Sequence, residues 1–223
     1  MNPVYRFRHS TLFTLSRGKS IQWLAVAGVT LMSLAGCSIL PPSSPQRVYQ
    51  LPGATTPSAQ ATIPSETMPS LRVSTPSSPM ILASSRILVM NAPNELAAFK
   101  GVRWSDPMPR LFQQRLVNYL RDSNDWQSVS TDDAPVASNY QLILSLAQFH
   151  AIRMPKRAPG VEVRVNATLI NRKENETIAS QTFLETAHSD SASFDDLLIA
   201  YGRAGNTIAA KISEWAQHQI GQR

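Results

Sequence analysis

Between Val161 and Ile170 the chain alternates almost cleanly: Val161, Val163, Val165, Ala167 and Leu169 are apolar, and they alternate with Glu162, Arg164, Asn166, Thr168 and Ile170. A period of two predicts a β-strand with one buried and one wet face. Strand-like runs flank it at Tyr140 to Ile152 and Thr177 to Glu185. The connections carry Pro155, Pro159 and Gly160, then Asn171 to Glu176, which suits an antiparallel meander. Arg86 to Met90 reads as a further strand stopped by Asn91-Ala92-Pro93-Asn94, and Trp126 to Val129 as a short one. Elsewhere the period lengthens. Leu111, Phe112, Leu116, Tyr119 and Leu120 recur at helical spacing after Asp106-Pro107, where aspartate suits an N-cap and proline the first helical position. A second helix opens on Ser193 and Asp196, spaced as a capping box, and carries Phe194, Leu197, Leu198, Tyr201, Ile208, Ile212, Trp215 and Ile220 as its stripe. Gly202 and Gly205 inside it would weaken it, bend it or let it pack closely on the sheet. The pattern predicts an α+β domain over residues 81–223, with a mostly antiparallel sheet and two main helices on one face.

Upstream the pattern dissolves. Nine of the 16 prolines lie between Pro41 and Pro79, among Ser, Thr and Ala. Such a composition buries little apolar surface and favours extended conformers, so residues 37–80 read as a disordered Pro/Ser/Thr-rich tether. Two short apolar pieces interrupt it, Val48 to Leu51 and Leu71 to Val73. Either is long enough to dock on the domain as a strand, and neither is long enough to assign from pattern.

The N-terminus changes what the charge means. The 223 residues carry 21 Lys+Arg against 15 Asp+Glu, a formal +6, which by itself suggests nucleic acid or an anionic surface as partner. Arg6, Arg8, Arg17 and Lys19 precede the 14-residue apolar run Ile21 to Leu34. A helix needs about 20 apolar residues to span a bilayer and a secretory core only about 7–15. Leu34-Ala35-Gly36-Cys37 follows at once, and it resembles the lipobox of bacterial lipoproteins at all four positions. By that resemblance residues 1–36 are a signal peptide, cleavage falls after Gly36, and Cys37 receives a covalent diacylglycerol and an N-acyl chain (palmitate and its kin). The alternative is an uncleaved anchor helix with a chance cysteine at its end. Cleavage leaves 17 basic against 15 acidic side chains, so the basic excess belongs mostly to export and nucleic acid drops out as a partner. Ser38 rather than aspartate after the cysteine points, by the same resemblance, to the outer membrane and a domain facing the periplasm.

Little chemistry remains. The single cysteine excludes an internal disulfide and a cysteine-based zinc site. His150, His188 and His218 share no metal spacing, and neither a Gly-x-Ser-x-Gly elbow nor a phosphate-binding glycine loop is present. His188 and Asp190 would have to meet for a hydrolase; otherwise they are solvated loop residues. No metal or cofactor site is expected. Arg153, Lys156 and Arg157 form the clearest basic cluster, at a hairpin tip, and serve either as a contact for anionic headgroups or an acidic partner, or as a soluble turn. Trp104, with Arg103 before Ser105-Asp106-Pro107, is either a surface anchor or a core residue that clamps the loop onto the helix, the commoner role for a tryptophan so placed.

The order of these features, a lipobox, Tyr49-Gln50-Leu51, Ile87-Leu88-Val89, Arg103-Trp104-Ser105-Asp106-Pro107 leading into Leu111 and Leu116, and a final helix ending at Glu214-Trp215, resembles the ABC-type transport auxiliary lipoproteins, the PqiC/YmbA-like family. The long tether and the short stretch from Met90 to Trp104 depart from it. The resemblance implies a non-enzymatic, membrane-anchored accessory protein that works with an MCE-domain protein and an ABC permease in inter-membrane lipid transport. Rings occur among such proteins, which leaves a homo-oligomer open. The alternative is a scaffolding or assembly lipoprotein that binds an outer-membrane β-barrel or an envelope polymer.

Overall fold

The computed structural model describes residues 45–53, 68–134, 136–154 and 157–222. In chain order these form β1 (Arg47–Tyr49), β2 (Ser70–Val73), β3 (Arg86–Ala92), β4 (Glu95–Trp104), α1 (Met108–Asp122), β5 (Ser128–Thr131), β6 (Tyr140–Ile152), β7 (Gly160–Asn171), β8 (Glu176–His188) and α2 (Phe194–Gly221). The fold is α+β, and β6, β7 and β8 make the expected meander. The five apolar side chains of β7 are at most 1% exposed. Asn94 and Asn175 take positive φ at the β3–β4 and β7–β8 turns (66° and 54°), a conformation asparagine tolerates because its short amide bonds locally.

The sheet is mixed, which corrects the mostly antiparallel expectation. Four pairings among the described residues are parallel: β1 with β4, β2 with β5, β2 with β6, and β3 with β6. Both short apolar pieces of the Pro-rich stretch are strands of this sheet. β2 is too short to stand alone, but it lies between two neighbours, and Leu71 and Val73 are fully buried. β4 carries no clean alternation, since Ala97, Ala98, Lys100 and Gly101 interrupt it, and pattern alone does not show it.

The sheet forks at β6. One edge of β6 pairs with β7 along its length. The other edge takes β2 at Tyr140–Leu142, a bridge from Ser77 at Ser145, and then β3 at Ala151–Ile152. The β6–β7 register shifts between Leu146 and Gln148, so a bulge twists β6 near the point where its other neighbour changes. Tyr201 of α2 closes the gap. Its hydroxyl donates to the Leu88 carbonyl at 2.6 Å and accepts from the Ala151 amide at 2.8 Å, a bridge between β3 and β6 where direct pairing begins.

Both helices bury their stripes on one face. α1 begins at Met108 with Pro107 in the N-cap position, without a side-chain cap, one residue later than Asp106-Pro107 suggests. In α2, Ser193 Oγ accepts from the Asp196 amide at 3.1 Å, and Asp195 and Asp196 put negative charge in the first turn, where the helix dipole favours it. Phe112, Phe149, Tyr201 and Trp104 form a continuous aromatic column, with ring centroids 6.2, 5.9 and 5.2 Å apart in turn.

Gly205 of α2 packs on the sheet, where a Cβ would lie 3.6 Å from Phe149 of β6, whereas Gly202 admits a different neighbour. The segment after β1 crosses the helix there: a Cβ on Gly202 would sit 2.7 Å from the Pro52 carbonyl oxygen, while Leu51 packs near Gly205. Arg115 of α1 reaches across and donates to the carbonyls of Leu51 and Pro52 at 2.8 and 2.6 Å. Leu51 is 7% exposed. The Leu51–Pro52 strap is thereby fixed between both helices.

Candidate functional site

The Tyr49, Phe194 and Phe99 rings meet edge to face, with Phe194 5.4 Å from Tyr49 and 5.2 Å from Phe99. Phe194 opens α2 and Phe99 belongs to β4, so this cluster ties β1, β4 and the helix start together. Beside it lies a groove of about 500 Å³. Its floor comes from buried Val89, Ala151 and Leu197, and its walls from Phe99, Phe194 and Met154. At the rim stand Asn91, Arg153 and Arg157. Arg153 follows β6 and Arg157 precedes β7, and both are exposed. Arg153 Nε donates to Asn91 Oδ1 at 2.8 Å, and Asn91 Nδ2 donates to Glu95 Oε1 at 3.2 Å. The ion pairs among the described residues are Arg203–Asp190 and Lys211–Glu185, so neither rim arginine pairs with a described carboxylate.

The residues singled out in the sequence scatter. Leu34, Ala35, Gly36, Cys37, Ser38 and Lys156 lie outside the described residues. Trp104 is 1% exposed and packs edge-on against Tyr201, so it is a core residue and not a surface contact: β4 ends by turning its last side chain under α2. Arg153 and Arg157 come together at the groove. His188 and Asp190 do not pair with each other. The Asp190 carboxylate accepts from Arg203 Nη2 at 3.2 Å, and the same nitrogen bonds the His188 carbonyl. His218 is exposed and bonds Gln222. No three His, Cys, Asp or Glu side chains gather among the described residues, and no described helix is long and apolar enough to cross a membrane.

His150 has a different importance. It is 4% exposed and faces Glu162 across the β6–β7 register. Burial holds its pKa below the ordinary histidine value, with Glu162 opposing that shift. An unfolded chain therefore protonates more readily than the folded one as pH falls below about 6.5. Stability from this group is fully present above that pH and declines towards the lower folded pKa. Urea midpoints compared at neutral and mildly acidic pH are expected to fall in the wild type and to fall less in His150→Gln.

Three features escaped the sequence. The Arg115 clasp and the Tyr201 bridge each join residues far apart in the chain, and no local pattern announces them. The groove left a partial trace in the basic cluster beside Met154 and Pro159, without its floor.

Comparison with known proteins settles the family. The sequence model of the ABC-type transport auxiliary lipoprotein component matches residues 49–213, from the last residue of β1 into the final turns of α2. No curated protein matches the chain. Among solved structures, protein XCC0632 from Xanthomonas campestris superposes with a TM-score of 0.67 at 22% identity, covering 78% of this chain and 97% of that one. A second crystal structure, of an uncharacterised protein, gives 0.60 at 15% identity, over 76% of this chain and 97% of the other. These likenesses show the same fold. With the family match spanning most of the sequence, the chain belongs to the ABC-type transport auxiliary lipoproteins.

Proposed function

We propose that the chain is the non-catalytic, lipid-anchored auxiliary component of an MCE-type inter-membrane lipid transport system, held in the outer membrane by acylated Cys37 and facing the periplasm. The observation that carries this reading is the family match over residues 49–213, joined to a lipobox upstream of the matched region. In this reading lipid fixes the location and the proline-rich segment sets the reach. From Cys37 to Pro45 the chain can extend about 25 Å at roughly 3.1 Å per residue. The folded domain then offers a docking face to the MCE-domain protein and, through it, to the ABC permease. Several acyl chains hold stably where one binds reversibly, at about 0.8 kcal/mol per buried methylene.

Two measurements test it. Cys37→Ser is expected to leave unprocessed precursor and to abolish labelling by radioactive fatty acid; undiminished labelling refutes the anchor. The wild-type chain is expected to co-purify with a membrane-anchored MCE protein. Recovery of a β-barrel or peptidoglycan in its place sinks the transport reading.

A further inference from the structure

The groove beside Phe99 has an apolar floor and a cationic rim, a combination that neither the family match nor the tethering role requires. We propose that it is a binding site for one acyl chain of a phosphate-bearing lipid, with Arg153 and Arg157 on the phosphate. This rests on the membrane-anchored reading above.

Two arginines face a mouth with no described carboxylate paired to either of them. A guanidinium is a planar fork matched to phosphate oxygens, and such bonds are about twice as strong as neutral ones. Arg153 is held through Nε on Asn91, so among the described residues its terminal nitrogens remain uncommitted. The volume, about 500 Å³, falls in the range of roughly 300–1,000 Å³ typical of small-molecule sites. Val89, Ala151 and Leu197 offer the floor no hydrogen-bonding side chain, which suits a hydrocarbon and not a polar solute.

Position supplies the source of the ligand. β1 runs parallel to β4, with Arg47 opposite Val102 and Tyr49 opposite Trp104. The end of β1 at which the tether joins is therefore the end towards Phe99 in β4. Tyr49 and Phe99 both pack on Phe194, which lines the groove. Anchorage through Cys37, as proposed above, brings the protein to a membrane, and the occupant is a lipid of that membrane.

The test uses the full chain in cells grown on radioactive phosphate, with a photoreactive amino acid at Phe99 and, in a separate variant, at Asn166, which is exposed on the polar face of the sheet. Irradiation is expected to give a labelled adduct at Phe99, its label released by a phospholipase, and none at Asn166. Arg153→Glu with Arg157→Glu is expected to lower that labelling about tenfold, the loss set by one or two charge-assisted hydrogen bonds, at unchanged protein level and protease resistance. Equal labelling at Asn166 means general membrane proximity and overturns the site. A polypeptide adduct at Phe99 assigns the groove to a peptide and overturns it too. Undiminished labelling in the double variant removes the phosphate role. Fatty-acid labelling of Cys37 and co-purification of the MCE protein are read in the same cells: if they persist while the adduct is missing, the groove assignment fails alone.

Discussion

Tyr201→Phe is expected to lower the unfolding free energy by about 2–4 kcal/mol, seen as a lower urea midpoint at unchanged slope. The ring would stay in the aromatic column, stacked on Phe149 and edge-on to Trp104, so hydrophobic burial is conserved. What disappears is one hydroxyl that serves two strands. Without it the Ala151 amide and the Leu88 carbonyl are stranded in a dry interior, each at a cost of about 1–3 kcal/mol. The bond also resists alkali. Burial drives the phenol's ionisation far above its ordinary range, more strongly than the Ala151 amide lowers it, so the hydroxyl keeps its proton throughout the folded range. A loss below about 1 kcal/mol would mean that β3 and β6 close on each other unaided, and the bridging role would be wrong.

Gly202→Val should be equally damaging, by about 2–4 kcal/mol, and Gly205→Ala should not. A side chain at Gly202 meets the backbone oxygen of Pro52 at 2.7 Å and its Cβ at 3.0 Å. Backbone cannot rotate aside as a long side chain can, so the strap must lift. Leu51 then leaves the core and the Arg115 guanidinium, partly buried and held by two strap carbonyls, loses both acceptors. At Gly205 the nearest atoms stand 3.6 Å away, an ordinary contact, and alanine raises helix propensity by up to about 1 kcal/mol. Limited proteolysis separates the two outcomes: early cleavage around residues 50–53 in Gly202→Val, and none in Gly205→Ala. If both variants resist protease alike, the strap is not clamped by α2.

How much of this could be read from the sequence depends on the range of each interaction. β7 and the two helices were legible because alternation, the 3.6-residue stripe and the Ser193 cap are local signals. The direction of the strap across Gly202 was not, although the two glycines hinted at a close approach by something. β4 was missed because alanine and lysine dilute its period. The parallel pairings were missed because a period of two reveals which face of a strand is buried and says nothing of which strand lies beside it. Trp104 shows the same limit from another side: a tryptophan flanked by arginine and a helix start reads more readily as core than as surface, and the Tyr201 ring is the partner that local pattern does not supply. At the candidate groove, Arg153 and Arg157 stood out by charge, while Val89, Phe99 and Leu197 looked like ordinary core residues of three separate elements.

The forked sheet also dictates an order of events. β2 has no partner until β5 and β6 exist, β1 waits for β4, and the Leu51–Pro52 strap is locked only by a helix close to the end of the chain. During synthesis from the N-terminus, β1 and β2 therefore stay unpaired until the strands that receive them have formed. Such long-range closures are slow. Closure of the N-terminal strands is therefore a late step, set by the arrival of β4, β5, β6 and α2 and not by the propensity of the strands themselves.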